Sequence, residues 1–183
     1  MVQQELAPKV LRFHVRANGD RPEDQQIKME VKNAVLSYLN PLLQNSKSVQ
    51  ETKKIVQDHL KEVQAVAEQM LAKYTVEKQK SDVRVNLKNE SFPQKTYGDC
   101  TFPAGNYEAL VIELGSGKGQ NWWCMLYPAL CFVDETCGII EKEKQEELKT
   151  NLSEDAYHWM KEEKNRKITF RLTWLRKILE FPI

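Results

Sequence analysis

The segment Gln120-Asn-Trp-Trp-Cys-Met-Leu-Tyr127 constrains this chain more than any other. Read as a strand, it sends neighbouring side chains to opposite faces. Trp122, Cys124 and Leu126 then point one way, and Trp123, Met125 and Tyr127 the other. Both faces are apolar, so both require cover, either from the chain's own C-terminal region or from a partner.

The chain has 183 residues, enough for one domain with a sizeable core. Lys+Arg 27 against Asp+Glu 26 leaves a net charge of +1, so no bulk field favours nucleic acid or acidic substrates. Apolar runs fall short of a membrane-spanning helix, and the polar start Met1 to Pro8 is not a signal peptide. Taken alone, these features predict a soluble, cytosolic chain. The cysteines, Cys100, Cys124, Cys131 and Cys137, permit two disulfides in three connectivities. There is no CxxC pair, and His14, His59 and His158 are scattered, so neither a zinc site nor any other cofactor is expected.

Val10 to Ala17 alternates, with Leu11, Phe13, Val15 and Ala17 on one face and Arg12, His14 and Arg16 on the other, predicting a half-buried strand. Asn18-Gly19 ends it, and Asp20-Arg-Pro-Glu23 resembles a capping box with Asp20 as the cap. Ile27, Val31, Ala34, Val35, Tyr38 and Leu39 form the stripe of a helix that Pro41 should end. Ser48-Val-Gln-Glu51 is a second capping box, opening a longer helix with Val56, Leu60, Val63, Ala67, Met70, Leu71 and Tyr74 on one side. These helices should pack as a hairpin on a sheet. Residues 82–88 alternate strictly, a short strand could lie between Phe92 and Gly98, and Thr101 to Gly105 reads as a turn. Tyr107 to Leu114 is a strong strand, which the loop Gly115-Ser-Gly-Lys-Gly119 would join to the tryptophan strand as an antiparallel hairpin. Residues 141–167 interleave acids and bases, as a solvated helix or a mobile segment would, and Ser153 could cap a helix carrying Tyr157 and Met160. Residues 167–182 read as a basic, amphipathic helix. The fold class expected is α+β: a two-layer sandwich, a helical hairpin packed on a mainly antiparallel sheet, with a C-terminal helical tail. The boundaries are 10–134 for the α+β domain and 135–183 for the charged segment and C-terminal helix.

Four blocks carry a resemblance: Leu11 to Gln25, Ser91 to Gly98, Phe102 to Ala109, and Gly117 to Cys124 with Leu130 to Asp134. In content, order and spacing they resemble the stage II sporulation protein R family of endospore-forming bacteria. That resemblance implies a signal rather than a catalyst. Such proteins are made in the forespore and exported into the intermembrane space. There they trigger a membrane-embedded aspartic protease that removes the pro-sequence from the sigma-E precursor. The expected partner is therefore the extracytoplasmic part of that protease. The family usually begins with a hydrophobic export segment, which is not among these residues.

Partner-binding candidates are Asn18, Asp20, Gln120, Asn121, Trp122, Trp123, Met125 and Tyr127. For the tryptophans the competing reading is burial in the core. The glycine loop leads into a strand, not a helix N-terminus, so it reads as a hairpin turn rather than a phosphate cradle. His14 and Arg16 read as solvated edge residues, and Asp20 has a sufficient structural role as a cap. A Cys124–Cys131 disulfide fits an exported protein, with free buried thiols as the alternative. The rival function is a thiol-dependent hydrolase of cell wall or peptide using Cys124 with His14 and Asp99, a trio whose adjacency no spacing supports. The basic C-terminal segment, with Arg171, Arg176 and Lys177 beside Trp174 and Phe181, could lie on a membrane surface or cap the core.

Overall fold

The computed structural model describes residues 2–74, 82–132 and 142–162. The expected helix over 167–182, and Cys137, lie outside the described residues. A short helix α1 (Val2–Leu6) and a 3-10 turn lead into β1 (Leu11–Arg16). Then come α2 (Pro22–Leu43), α3 (Val49–Asp58), α4 (Leu60–Ala72), β2 (Val83–Phe92), β3 (Lys95–Tyr97), β4 (Cys100–Phe102), β5 (Gly105–Leu114) and β6 (Asn121–Tyr127). The helices α5 (Lys142–Asn151) and α6 (Glu154–Glu162) follow. The fold is α+β, with an open mixed sheet in the order β2-β5-β1-β6 and a separate β3-β4 ribbon.

The glycine loop does not close a hairpin. β1 inserts between β5 and β6, parallel to the first and antiparallel to the second. The sequence around the loop could not show this, because β1 comes from a hundred residues away. Its polar face is covered by a second layer, with Phe92 and Trp123 against His14 and Phe92, Tyr97, Phe102 and Tyr107 around Arg12. Arg12 and His14 are fully buried, as are Leu11, Phe13 and Val15 on the other face. The half-buried strand with a solvated His14 is thus corrected; only Arg16, at the strand's end, keeps partial exposure.

Against the face holding Phe13, Val15, Leu110 and Ile112 pack α2, α3 and α4, through Val31, Val35, Leu39, Val56, Val63 and Ala67. Burying side chains of this size contributes about 1.5–3 kcal/mol each. Ser48 caps α3 as its box predicts, accepting from Glu51 N at 3.1 Å, while Lys47 N donates to the Glu51 carboxylate. The long second helix is divided at His59, whose Nδ1 lies 2.8 Å from Tyr38 Oη. Tyr74 falls beyond α4 and is exposed. Nor does Pro41 end α2, which runs on to Leu43. Its ring removes one hydrogen bond from an exposed last turn, a smaller loss than in a helix interior.

The opposite face carries a second core. Leu6 and Val10 cover it from the N-terminus, Cys100 and Phe102 from the ribbon, and Leu148, Leu152, Ala156 and Met160 from α5 and α6. The C-terminal charged helices are therefore packed, with Ser153 Oγ accepting from Ala156 N at the start of α6. Phe92 lies on β2, paired with Gly105 of β5 and so two strands away from β1. Yet its ring lies 5.8 Å from that of His14 and 4.7 Å from that of Trp123. The β2–β5 ladder must therefore curl over this face, as strongly twisted ribbons do.

Candidate functional site

The residues singled out by sequence divide by the face and end of the sheet they occupy. Trp122, Cys124 and Leu126 join the first core, and Trp123 and Met125 the second. Tyr127 departs from strict alternation. The β1–β6 register skips Leu126, which sits between the pairs Leu11–Tyr127 and Arg12–Met125. This bulge returns Tyr127 to the first core, where its hydroxyl donates to Lys47 O. Met125 and Tyr127 are buried, so neither belongs to a contact surface.

The remaining candidates gather at one end of the sheet, where two glycine loops are bound together. Asn18 Oδ1 accepts from Ser116 N at 3.0 Å, and its Nδ2 donates to Asp24 Oδ1. Gly119 N donates to Ala17 O at 2.9 Å, and Gln120 N to Asp20 Oδ1 at 2.7 Å. Asp20 is thus not the cap of α2: Arg21 holds that position without a side-chain capping bond, and Asp20 reaches across to the other loop. The first-turn carboxylate that matters is Asp24. Arg21 and Asn18 both donate to it and hold its pKa below the ordinary carboxylate value. Lys28 donates to Gln25 and to Gln120 O, fastening α2 to the strand that follows the loop. The residues left exposed here include Lys118, Gln120 and Asn121.

The two indoles flank this end, one on each face and each half-buried. Trp122 meets Phe13 edge-on at 5.6 Å, with Lys32 Nζ 4.9 Å over its ring. Trp123 stacks on His14 at 3.7 Å. Burial, then the nearby Arg16 cation, lowers the His14 pKa to about 4. Neither ring nitrogen has a hydrogen-bond partner.

Arg12 sits deeper, among Phe92 (4.5 Å), Tyr107 (5.1 Å), Tyr97 (5.7 Å) and Phe102 (5.8 Å). Its Nε and Nη1 have no partner, and Nη2 meets Tyr97 Oη at 3.4 Å. Burying such a cation costs several kcal/mol, which ring faces offset by up to about 2 kcal/mol each when desolvated. Composition offers no signal for this cage; only the burial of β1 reveals it.

The trio of a thiol hydrolase is not assembled. Cys124 stands opposite Phe13 on the first-core face, while His14 points into the second core. Asp99 pairs with Lys161 and lies 3.7 Å from the buried thiol of Cys100, which burial pushes up to about 11. Cys124 and Cys131 lie side by side, their Cα atoms 5.6 Å apart, within the span a disulfide bridges. Among the described residues, no group of three His, Cys, Asp or Glu side chains could hold a metal ion.

What the geometry defines is an α+β domain whose surface candidates form an ordered double loop at one sheet end, flanked by two half-exposed tryptophans. The chain belongs to the stage II sporulation protein R family, whose pattern it matches over residues 7–137. It is 35% identical over 141 residues to the Stage II sporulation protein R of Bacillus subtilis (strain 168), an alignment covering 77% of this chain and 62% of that relative. The chain thus spans less than two thirds of that relative's length. No solved structure matches it.

Proposed function

We propose that this protein is a sporulation signal that acts by binding rather than by catalysis. In this reading it is exported from the forespore into the intermembrane space. It engages the extracytoplasmic part of a membrane-embedded aspartic protease, which then processes pro-sigma-E. The observation that carries the reading is family membership across residues 7–137. The double loop adds a surface suited to it, because its polar groups are already fixed and little ordering entropy is lost on docking. To switch a partner, the protein need only bind the active arrangement more tightly than the inactive one. A shift from 1:99 to 99:1 requires a preference of about 10⁴-fold.

The test is reconstitution: purified protein is added to vesicles holding the candidate protease and pro-sigma-E. Stimulated cleavage is expected, and an unchanged rate across a saturating titration would count decisively against the proposal.

The Cys124–Cys131 pair fits an oxidising compartment. The ring it closes spans a sequence separation of only 7. Loop-closure entropy then sets its contribution at about 2.5 kcal/mol. Cys124→Ser with Cys131→Ser should lower stability by about that amount in urea unfolding, with stimulation falling only as far as the folded fraction falls. Complete loss of activity in a fully folded double variant would revive the hydrolase reading.

A further inference from the structure

The sheet has two edges, and they differ in chemistry. β2 carries Arg84, Lys88 and Glu90, the kind of charged edge that discourages strand pairing. β6 carries no charge along its whole length. Its outer side is closed at one end by the turn at Leu130–Phe132, where Cys131 Sγ lies 2.9 Å from Met125 O. That contact also fixes which way the strand's main chain faces. In an antiparallel pair, alternate residues turn N–H and C=O to the same side. Met125 faces away from β1, and the register is unbroken from Met125 to Asn121. Trp123 and Asn121 therefore also present N–H and C=O outward, and among the described residues no strand pairs with them. An indole flanks this open stretch on each face, and two cations stand beside it. Lys32 lies over Trp122, and Lys118 is exposed in the loop before the strand. Neither ammonium has a carboxylate partner among the described residues.

We propose that Asn121–Trp123 is a docking edge that adds an extended strand from a partner protein. The incoming segment is uncharged where it crosses the indoles and carries a carboxylate where it passes Lys32 and Lys118. Main-chain hydrogen bonds supply the attachment, the indoles supply side pockets, and the ammonium groups select an acidic flank. A second copy of this chain is disfavoured as occupant, because its β6 has no carboxylate to offer those cations. The edge belongs to the surface assigned above to partner contact. The inference rests on that reading only for the partner's identity.

The deciding experiment follows backbone amide resonances of the intact protein during titration with the capped peptide Glu-Thr-Val-Thr-Val-Thr, and with its Lys-Thr-Val-Thr-Val-Thr counterpart. Saturable shifts are expected at Asn121 and Trp123, with affinity about fivefold weaker for the lysine peptide. Asn121→Pro removes one outward N–H at the first residue of a strand, where proline is tolerated, and should abolish the shifts while the thermal midpoint holds. The proposal is overturned by an absence of shifts up to about 5 mM peptide, by shifts centred elsewhere, or by equal response to both peptides. In the vesicle assay Asn121→Pro should reduce stimulation at least about tenfold, a loss of roughly 1.4 kcal/mol in binding. If the wild type stimulates nothing, the signalling reading fails while the peptide titration still decides this one.

Discussion

Gly119→Ala is expected to lower the unfolding free energy by on the order of 3 kcal/mol, a large fraction of what a domain of this size possesses. The reason is a backbone-on-backbone contact between the two glycine loops. A Cβ built on Gly119 would land on the carbonyl of Gly19 and lie only 2.8 Å from Gly19 Cα. No flexible side chain is available to give way. Separating the loops would stretch Gly119 N from Ala17 O and Gln120 N from Asp20, undoing the bonds that order the surface. Gly117 supplies the contrast. It has φ +63, but its nearest neighbours lie 3.7 Å or more from an added Cβ. Gly117→Asn, a residue that tolerates left-handed backbone, should cost less than about 1 kcal/mol. Urea midpoints of the two variants measure the difference; equal midpoints would mean that the loops do not touch.

The second large effect is a loss of stability on mild acidification, caused by His14. Its folded pKa of about 4 lies below the ordinary value of 6.5, so the native state holds the ring neutral. Above pH 6.5 both folded and unfolded rings are neutral, and nothing is lost. Between pH 6.5 and 4 the unfolded chain takes up a proton that the folded one refuses, and stability falls with pH. By pH 4.5 the loss should reach about 2.5 kcal/mol, from 1.36 kcal/mol per pKa unit. Carboxylates with lowered pKa values, such as Asp24 and Glu113, destabilise in the same direction but at more acidic pH. His14→Phe keeps a ring against Trp123 and Phe92 and should remove most of the slope between pH 7.5 and 4.5. A slope unchanged in that variant would show that another group controls the transition.

The local chemistry was legible wherever a short stretch decides its own fate. Ser48 with Glu51 starts a helix because its groups meet within one turn, and the stripe from Val31 to Leu39 finds its sheet because amphipathic periodicity needs only a partner layer. Family resemblance also located the blocks, and the loop end holds Asn18, Asp20, Gln120 and Asn121 together as a single surface. Hidden from inspection were the consequences of strand order. His14 looks solvated on an alternating strand, and only the second layer, with Phe92 and Trp123 against its ring, buries it. Asp20 looks like a helix cap, and only the approach of the second loop gives it Gln120 N as a better donor. The Leu126 bulge moved Tyr127 from one core to the other without any signal in composition.

By itself, then, the sequence determined where most of the helices and strands lie, the apolar character of both faces of β6 and the family, since each follows from side chains a few residues apart or from matched blocks. It did not determine the break at His59 or the β4 strand at Cys100–Phe102, read as a turn. The tertiary structure alone decided which strands are neighbours and what covers each face, and hence that Arg12 and His14 are interior, that Met125 and Tyr127 are buried, and that one short edge has no strand beside it among the described residues. The physical reason is that strand pairing is a contest among distant segments for the same hydrogen bonds, and no local pattern records who wins.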